Sequence, residues 1–419
     1  MPEIQTNNLV DRGQLKIQVT SGQRSVPIPN ATIEISYTGD PDSVLETVST
    51  DENGQTPVVD LPAPPVEYSM SPSENQPYSE YNLKIHSDEY KPVTISGAQI
   101  LSGVEGLQPV SMIPEETHTP TEEHPIVIGP HTLWGNYPPK IAESEIKPVN
   151  ESGEIVLSRV VIPEYIIVHD GPVGDKTAQN YYVRYKDYIK NVASSEIYAT
   201  WPDDTIRANI LAIMSFTLNR VYTEWYRNKG YSFTITSSTA FDHKWINERN
   251  IFDNVGLIVD EVFADYVSKP DVKQPILTQY CDGKRTTCSG MSQWGSKYLG
   301  DQNYSALQIL RNYYGSDIYI NTAEEVSGIP LSWPGYTLDI GDSGTPVRTI
   351  QEQLSAIRRT YSNIPSLAID GIYGEDPAAA VSRFQSIFDL PVTGEVDYST
   401  WYKISQLYVA LEKLAELRI

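Results

Sequence analysis

One carboxyl group stands out for the company its spacing gives it. In YKDYIKNVASSEIYATWP (185–202), Tyr185, Tyr188, Ile189 and Val192 recur at helical spacing, and Glu196 follows on the same face, four residues after Val192. A carboxyl on an apolar face is costly to ionise. That is the property a general acid working near neutral pH needs. The plainer alternative is a glutamate at a frayed helix end, pointing to water. Cys281 and Cys288, with six residues between them in CDGKRTTC, offer a second chemistry. The spacing is wider than the two to four residues usual in zinc sites, so a short disulfide loop or two thiols competes with a zinc site that includes His243. His169, in VHDG, reads as a structural residue at a strand end. Asp203, Asp204, Asp242 and Asp260 read as helix caps and solvated surface.

The elements around Glu196 follow from periodicity. Segment 203–227 places Ile206, Ile210, Ile213, Met214, Leu218 and Val221 on one face of a long helix. Pro202 and the pair Asp203–Asp204 stand at its start, where fixed φ and negative charge suit an N-terminus. VLSRVVIPEYIIVHD (156–170) reads as a strand entering this unit. Towards the N-terminus, LKIQV (15–19), ATIEISY (31–37), YNLKIHS (81–87) and VTISGAQI (93–100) alternate apolar and polar residues, the period of half-buried strands. Residues 113–130 have linker composition, rich in Pro, Thr and Glu. In the last part, AIDGIYGEDPAAAVSRFQ (368–385) is echoed by PVTGEVDYSTWYKI (391–404). The expected division is therefore a β-sandwich over 1–112, a linker with a processing site over 113–155, an α+β domain over 156–332 and a helical domain over 333–419.

The bulk properties bound the partners. The chain has 419 residues, 40% hydrophobic and 20% charged, and a formal charge of −23. Phosphate backbones are held by clustered Lys and Arg, so nucleic acid is not an expected partner. The first 112 residues carry 15 acidic against 5 basic side chains, a net −10 that marks them as a separate unit. No apolar run is long enough to span a bilayer, and the start lacks the basic and apolar regions of an ordinary secretory signal. Two cysteines are too few for a disulfide scaffold.

Two ordered blocks carry a resemblance. SSEIYATWPDDTIRANILAIMSFTLNR (194–220) and SGMSQWGSKYLGDQNYSALQILRNYYGSDI (289–318) resemble the SpoIID/LytB family, which places a Glu before a WP-type turn and closes with a GMSQxG block. The resemblance implies a lytic transglycosylase that cleaves the glycan bond between N-acetylmuramic acid and N-acetylglucosamine, with Glu196 as the essential acid and no cofactor or metal. It also implies that Tyr280, Ser292 and Gln293 hold the sugars. LDIGDSGTPVRTIQEQL, AIDGIYGEDPAAAVSRFQ and LPVTGEVDYSTW resemble a three-helix peptidoglycan-binding repeat, with Asp370 and Tyr373 as its expected wall contacts. Glu375–Asp376–Pro377 departs from the repeat, which usually has a Thr shortly after the Gly.

The N-terminal strands resemble transthyretin-like or carboxypeptidase-regulatory sandwiches. The order of the three units is similar to that of spore cortex-lytic enzymes. That similarity implies a precursor in the cortex or coat of a bacterial spore, activated at germination by a subtilisin-like Csp protease. Two other readings compete. One is a non-catalytic peptidoglycan-binding spore-coat protein, and the other an N-acetylmuramoyl-L-alanine amidase.

Overall fold

The computed structural model describes residues 11–22, 26–115, 125–147, 159–329 and 331–416. The N-terminal strands form where the alternation places them. β1 is Asp11–Ser21, β2 Val26–Pro27, β3 Thr32–Tyr37, β4 Asp40–Ser49, β5 Val59–Ala63, β6 Ser79–His86, β7 Val93–Ile100, β8 Glu105–Met112 and β9 Ile126–Val127. One sheet runs β4-β3-β6-β7-β9, and in the other β1 lies between β8 and β2 and also pairs β5. Alternate residues of both sheets, among them Leu15, Ile17, Ile33, Ile35, Leu83 and Ile95, bury one shared core. β4 escapes the alternation signal because almost all of its residues are exposed.

The central unit begins with short strands β10 (Val161–Ile162), β11 (Tyr165–His169) and β12 (Asn180–Arg184), followed by α1 (Tyr185–Glu196) and α2 (Asp203–Tyr222). After β13 (Ile235–Thr236) and β14 (Ile251–Phe252) come α3 (Asp253–Val262), β15 (Asp265–Ser268), β16 (Tyr280–Cys281), β17 (Met291–Ser292), α4 (Gln293–Gly300) and α5 (Ala306–Tyr314). The helix expected over 203–227 ends at Tyr222 and is buried on nearly every side rather than on one face. Several of its polar residues are bonded inside the core. Asn209 Nδ2 donates to Ser296 Oγ at 2.8 Å, and Ser215 Oγ to the Ile276 carbonyl at 2.9 Å. Asp204 caps a neighbour instead of its own helix, accepting from the Ala306 amide at 3.0 Å.

Three helices close the chain, α6 (Thr345–Ile357), α7 (Glu375–Ile387) and α8 (Tyr398–Glu416). Trp401, Ile350, Leu354 and Phe384 are fully buried among them. The Gly turn before α7 is held by Gln351, whose Nε2 donates to the Asp370 carboxylate and whose Oε1 accepts from the Gly371 amide.

The sandwich is joined to both other parts. β14 extends the sandwich sheet by pairing antiparallel with β8, Ile251 opposite Leu107 and Phe252 opposite Gly106. Beside it the Asn250 side chain makes two bonds to the Gln99 backbone, and the buried Arg249 donates to Gln99 Oε1 at 2.9 Å. Lys16 of β1 pairs with Asp389 of the helical part at 2.6 Å.

At this three-way seam burial first, then the Asp389 and Glu105 charges, lift the Asp253 carboxyl to about 6, against the opposing pull of Lys190 and Lys16. The folded chain therefore holds this proton more tightly than the unfolded chain does. The stabilisation is complete below the unfolded value near 4 and is lost as pH rises through about 6. Partly open to water, the group contributes about 1–2 kcal/mol to this loss between pH 4 and 8. Thermal melts of Asp253→Asn across that range are expected to be flatter than those of the parent. An identical slope in the two proteins refutes the assignment.

The expected processing stretch falls largely on residues 116–124, which lie outside the described residues, as do 148–158. The described part of the expected linker, 125–147, is packed. Ile126 and Val127 pair with Ile95 and Ser96 of β7, and His131 is buried with its Nε2 against the Ile197 carbonyl. Further on, Glu143, partly buried, pairs with the fully buried Arg220. Proline-rich composition reports the absence of a helix or strand period, and not the absence of contacts.

Candidate active site

Glu196 is the last residue of α1 and only 4% exposed. The face that carries it is buried through Tyr185, Tyr188, Ile189 and Val192, so the helix end is held in the core rather than frayed. Ile197 leaves the helix in an extended conformation, and Trp201 then anchors the turn by donating its indole N–H to the Ser69 carbonyl of the sandwich at 2.9 Å.

Three segments meet at the carboxyl group. The Lys244 amide donates to Oε1 at 2.8 Å. The Thr132 hydroxyl lies 3.0 Å from Oε2 and also 3.0 Å from the Ser195 carbonyl. Gln293, the first residue of α4, donates its Nε2 to the Glu196 carbonyl at 2.8 Å and lies 3.4 Å from Oε2. A cleft of about 700 Å³, open to solvent on one side, has Glu196, Thr132, Lys140, Tyr280, Arg285 and Gln293 among its lining residues.

The walls of the cleft are built from close backbone approaches. β16 and β17 run parallel, Tyr280 beside Met291 and Cys281 beside Ser292. A Cβ on Gly290 would stand 1.7 Å from the Gln279 carbonyl oxygen, so only glycine allows this approach. Tyr280 is buried, and its hydroxyl has no hydrogen-bond partner among the described protein groups. Burial, with the Glu196 charge next, keeps that hydroxyl protonated well above the ordinary tyrosine range. The Tyr280 ring stacks on His243, centroids 5.7 Å apart, and the Lys140 ammonium sits 4.8 Å above it. Burial, then Lys140 and Arg220, hold His243 neutral. Burial also lowers Lys140, against the pull of the Glu196 and Asp242 charges.

Cys281 and Cys288 are joined as a disulfide, which settles the alternatives left by their spacing. Inside the loop they close, the Asp282 carboxylate accepts from the amides of Lys284, Arg285 and Thr286. The loop tip crosses the cleft, where Arg285 Nη1 donates to the Trp134 and Gly135 carbonyls. The sequence separation across the disulfide is 7 residues. Constraining a loop that short stabilises by about 2 kcal/mol. The double variant Cys281→Ser, Cys288→Ser should be less stable by about that free energy and melt lower, and a reductant should have no further effect on it. An unchanged melting temperature would argue against the bond.

Of the six residues singled out in the sequence, Glu196, Tyr280 and Gln293 line one cleft. Ser292 lies beside it with its hydroxyl committed to capping α4, accepting from the Gly295 amide at 2.9 Å. Asp370 and Tyr373 sit in the helical part. Asp370 holds the Gly turn through Gln351 and the Ile372 amide, and Tyr373 is buried with its hydroxyl on the Gly394 carbonyl at 2.8 Å. The bonds they make are those of residues that build the turn. Thr132 and Lys140, which complete the cleft, lie in the segment read as linker. The Lys244 amide is a backbone group, which residue type does not reveal.

Comparison with known proteins identifies one family, near the C-terminus. Residues 343–404 match the peptidoglycan binding domain family. A zinc D-Ala-D-Ala carboxypeptidase of Streptomyces albus G is 41% identical over 76 residues, 18% of this chain and 28% of that protein. The chain thus spans little more than a quarter of the length of this curated relative. Among solved structures, the SleB N-terminal domain is 25% identical over 18% of this chain and 99% of its own, with a TM-score of 0.16. The Bacillus anthracis TIE protein is 15% identical over 25% of this chain and 17% of its own, with a TM-score of 0.17. The chain is multidomain, and its residues 343–404 form a helical domain that matches the peptidoglycan-binding family.

Proposed function

We propose that the chain is a lytic transglycosylase of spore cortex peptidoglycan, similar to SleC-type cortex-lytic enzymes, with Glu196 as acid and then base. The observation that carries this reading is a buried carboxyl group opening on a cleft in a protein that also has a peptidoglycan-binding domain. Glu196 would protonate the oxygen leaving between N-acetylmuramic acid and N-acetylglucosamine. It would then take the proton of the muramic 6-hydroxyl as that oxygen closes a 1,6-anhydro ring. One carboxyl group suffices because the nucleophile belongs to the substrate, unlike in two-carboxylate glycosidases.

The local bonds support both states of the acid. Thr132 has one hydroxyl proton and two acceptors within 3.0 Å. When that proton goes to the Ser195 carbonyl, the Thr132 oxygen can accept from protonated Glu196. When it goes to Oε2, it supports the carboxylate. The Lys244 amide holds the carboxyl in place throughout, and Gln293 fixes the Glu196 main-chain carbonyl beside it. Tyr280 and Lys140 offer donors to the sugar oxygens. Cleavage in the 113–130 region by a subtilisin-like Csp protease is part of the same proposal, as is a site of action in the spore cortex or coat. Mass spectrometry of cortex sacculi after digestion tests the reaction. Products ending in 1,6-anhydromuramic acid are expected, and products cut only at the stem peptide would refute it.

A further inference from the structure

The tyrosines of β12 take no part in the Glu196 cleft. β12 is an edge of the three-stranded sheet β12-β11-β13, and Tyr182 on it is 73% exposed. With Tyr165, Tyr181 and Trp245 it lines a second groove of about 930 Å³, also open to solvent. Tyr181 packs on Trp245 with ring centroids 5.2 Å apart, forming the floor, and Tyr182 stands at the rim. The Arg184 guanidinium lies 5.8 Å from the Tyr165 ring. The buried Trp245 indole N–H has no hydrogen-bond partner among the described protein groups.

Position gives this groove its meaning. At one end Trp245 directly follows Lys244, whose amide holds Glu196. On the same side Arg249 donates to the Ser195 hydroxyl, one residue from Glu196. At the other end Arg184 reaches the Gln406 carbonyl on α8, just past the matched peptidoglycan-binding residues, at 3.4 Å. The aromatic groove thus lies between the candidate acid and the wall-binding helices.

We propose that this groove is a second binding site for an N-acetylated glycan strand, with Tyr182, Tyr181 and Trp245 as its ring-stacking surface. Flat aromatic faces suit the C–H faces of pyranose rings, and their polar tips suit hydroxyl and acetamido groups. Core packing explains Tyr181 and Trp245 but not Tyr182, whose ring is left in water. A stem peptide fits less well, because it would be held by its charges. Of the two arginines in the groove wall, Arg249 is fully buried and already bonded to Asn250, Ser195 and Gln99, and Arg184 is engaged by the Tyr165 ring and the Gln406 carbonyl.

The site does not depend on Glu196 being the acid, and its test separates the two. The full chain carrying Glu196→Gln, which prevents turnover, is titrated with the tetramer of N-acetylglucosamine by calorimetry and by tryptophan fluorescence. Expected is a site that Tyr182→Ala weakens at least tenfold and Tyr182→Phe preserves, with Trp245 emission changing on binding. Because Tyr182 is at the surface, neither substitution should disturb the fold. An isotherm that Tyr182→Ala leaves unchanged overturns the proposal. So does displacement of the sugar by free stem peptide, which would make the occupant a peptide.

Discussion

Glu196→Gln should lower the release of soluble glycan fragments from sacculi by about 10²–10⁴-fold, the usual worth of a positioned general acid. The fold should survive. The glutamine carbonyl can still accept from the Lys244 amide, and its new N–H₂ can donate to the Thr132 oxygen. The poorer contact is with Gln293, whose Nε2 lies 3.4 Å from Oε2, where two donors would then face each other. Leaving one such group unsatisfied costs about 1–3 kcal/mol. A folded variant that still releases 1,6-anhydro products at the parental rate would remove Glu196 from the mechanism. The wall-binding domain lies on separate helices, so sedimentation of the variant with sacculi should be unchanged.

Asp242→Ala is expected to be the most damaging substitution for stability. Asp242 is fully buried and accepts from Arg220 Nε at 2.7 Å, from the Tyr226 hydroxyl at 2.7 Å and from the amide and hydroxyl of Thr236. Arg220, itself 1% exposed, is shared with Glu143 through two bonds of 2.9 and 2.6 Å. Removing one partner of such a buried pair leaves a charge uncompensated, at a cost of about 3–5 kcal/mol. The melting temperature should fall by roughly 10 °C. The double variant Arg220→Met, Asp242→Leu should lose much less than the sum of its parts. Strict additivity would mean that the charges act independently.

The same network predicts acid lability. Burial works against the Glu143 charge, but the bonds from Arg220 and Lys147 outweigh it and hold the carboxyl near 2. Its contribution to stability is complete above the unfolded value near 4.5 and is lost as pH falls towards 2. The backbone that Asp242 fixes continues into His243 and Lys244, so loosening the pair should also move the amide that holds Glu196.

How far the sequence could be read depends on where each feature is encoded. The strands β1, β3, β6 and β7 and the helices around Glu196 were legible because alternation and helical spacing are properties of neighbouring residues. Burial of Glu196 was legible for the same reason, since its position on the apolar face of α1 is set by residues one to three turns away. The repeat near the C-terminus was legible through its glycine turns, although the same glycines explain why Asp370 and Tyr373 are spent on the turn.

What the tertiary structure decided is partnership. The groups around the Glu196 side chain come from positions 64, 48 and 97 residues away, as Thr132, the Lys244 amide and Gln293. A backbone amide has no residue type to read, and a threonine in a proline-rich stretch has no period to betray it. The same holds for β14, two residues long, which completes a sheet belonging to another unit. Short elements carry too little pattern to declare a partner, so the seam between sandwich and central unit emerges only when the chain is folded. Local order is written in spacing, whereas long-range hydrogen bonds depend on which surfaces meet.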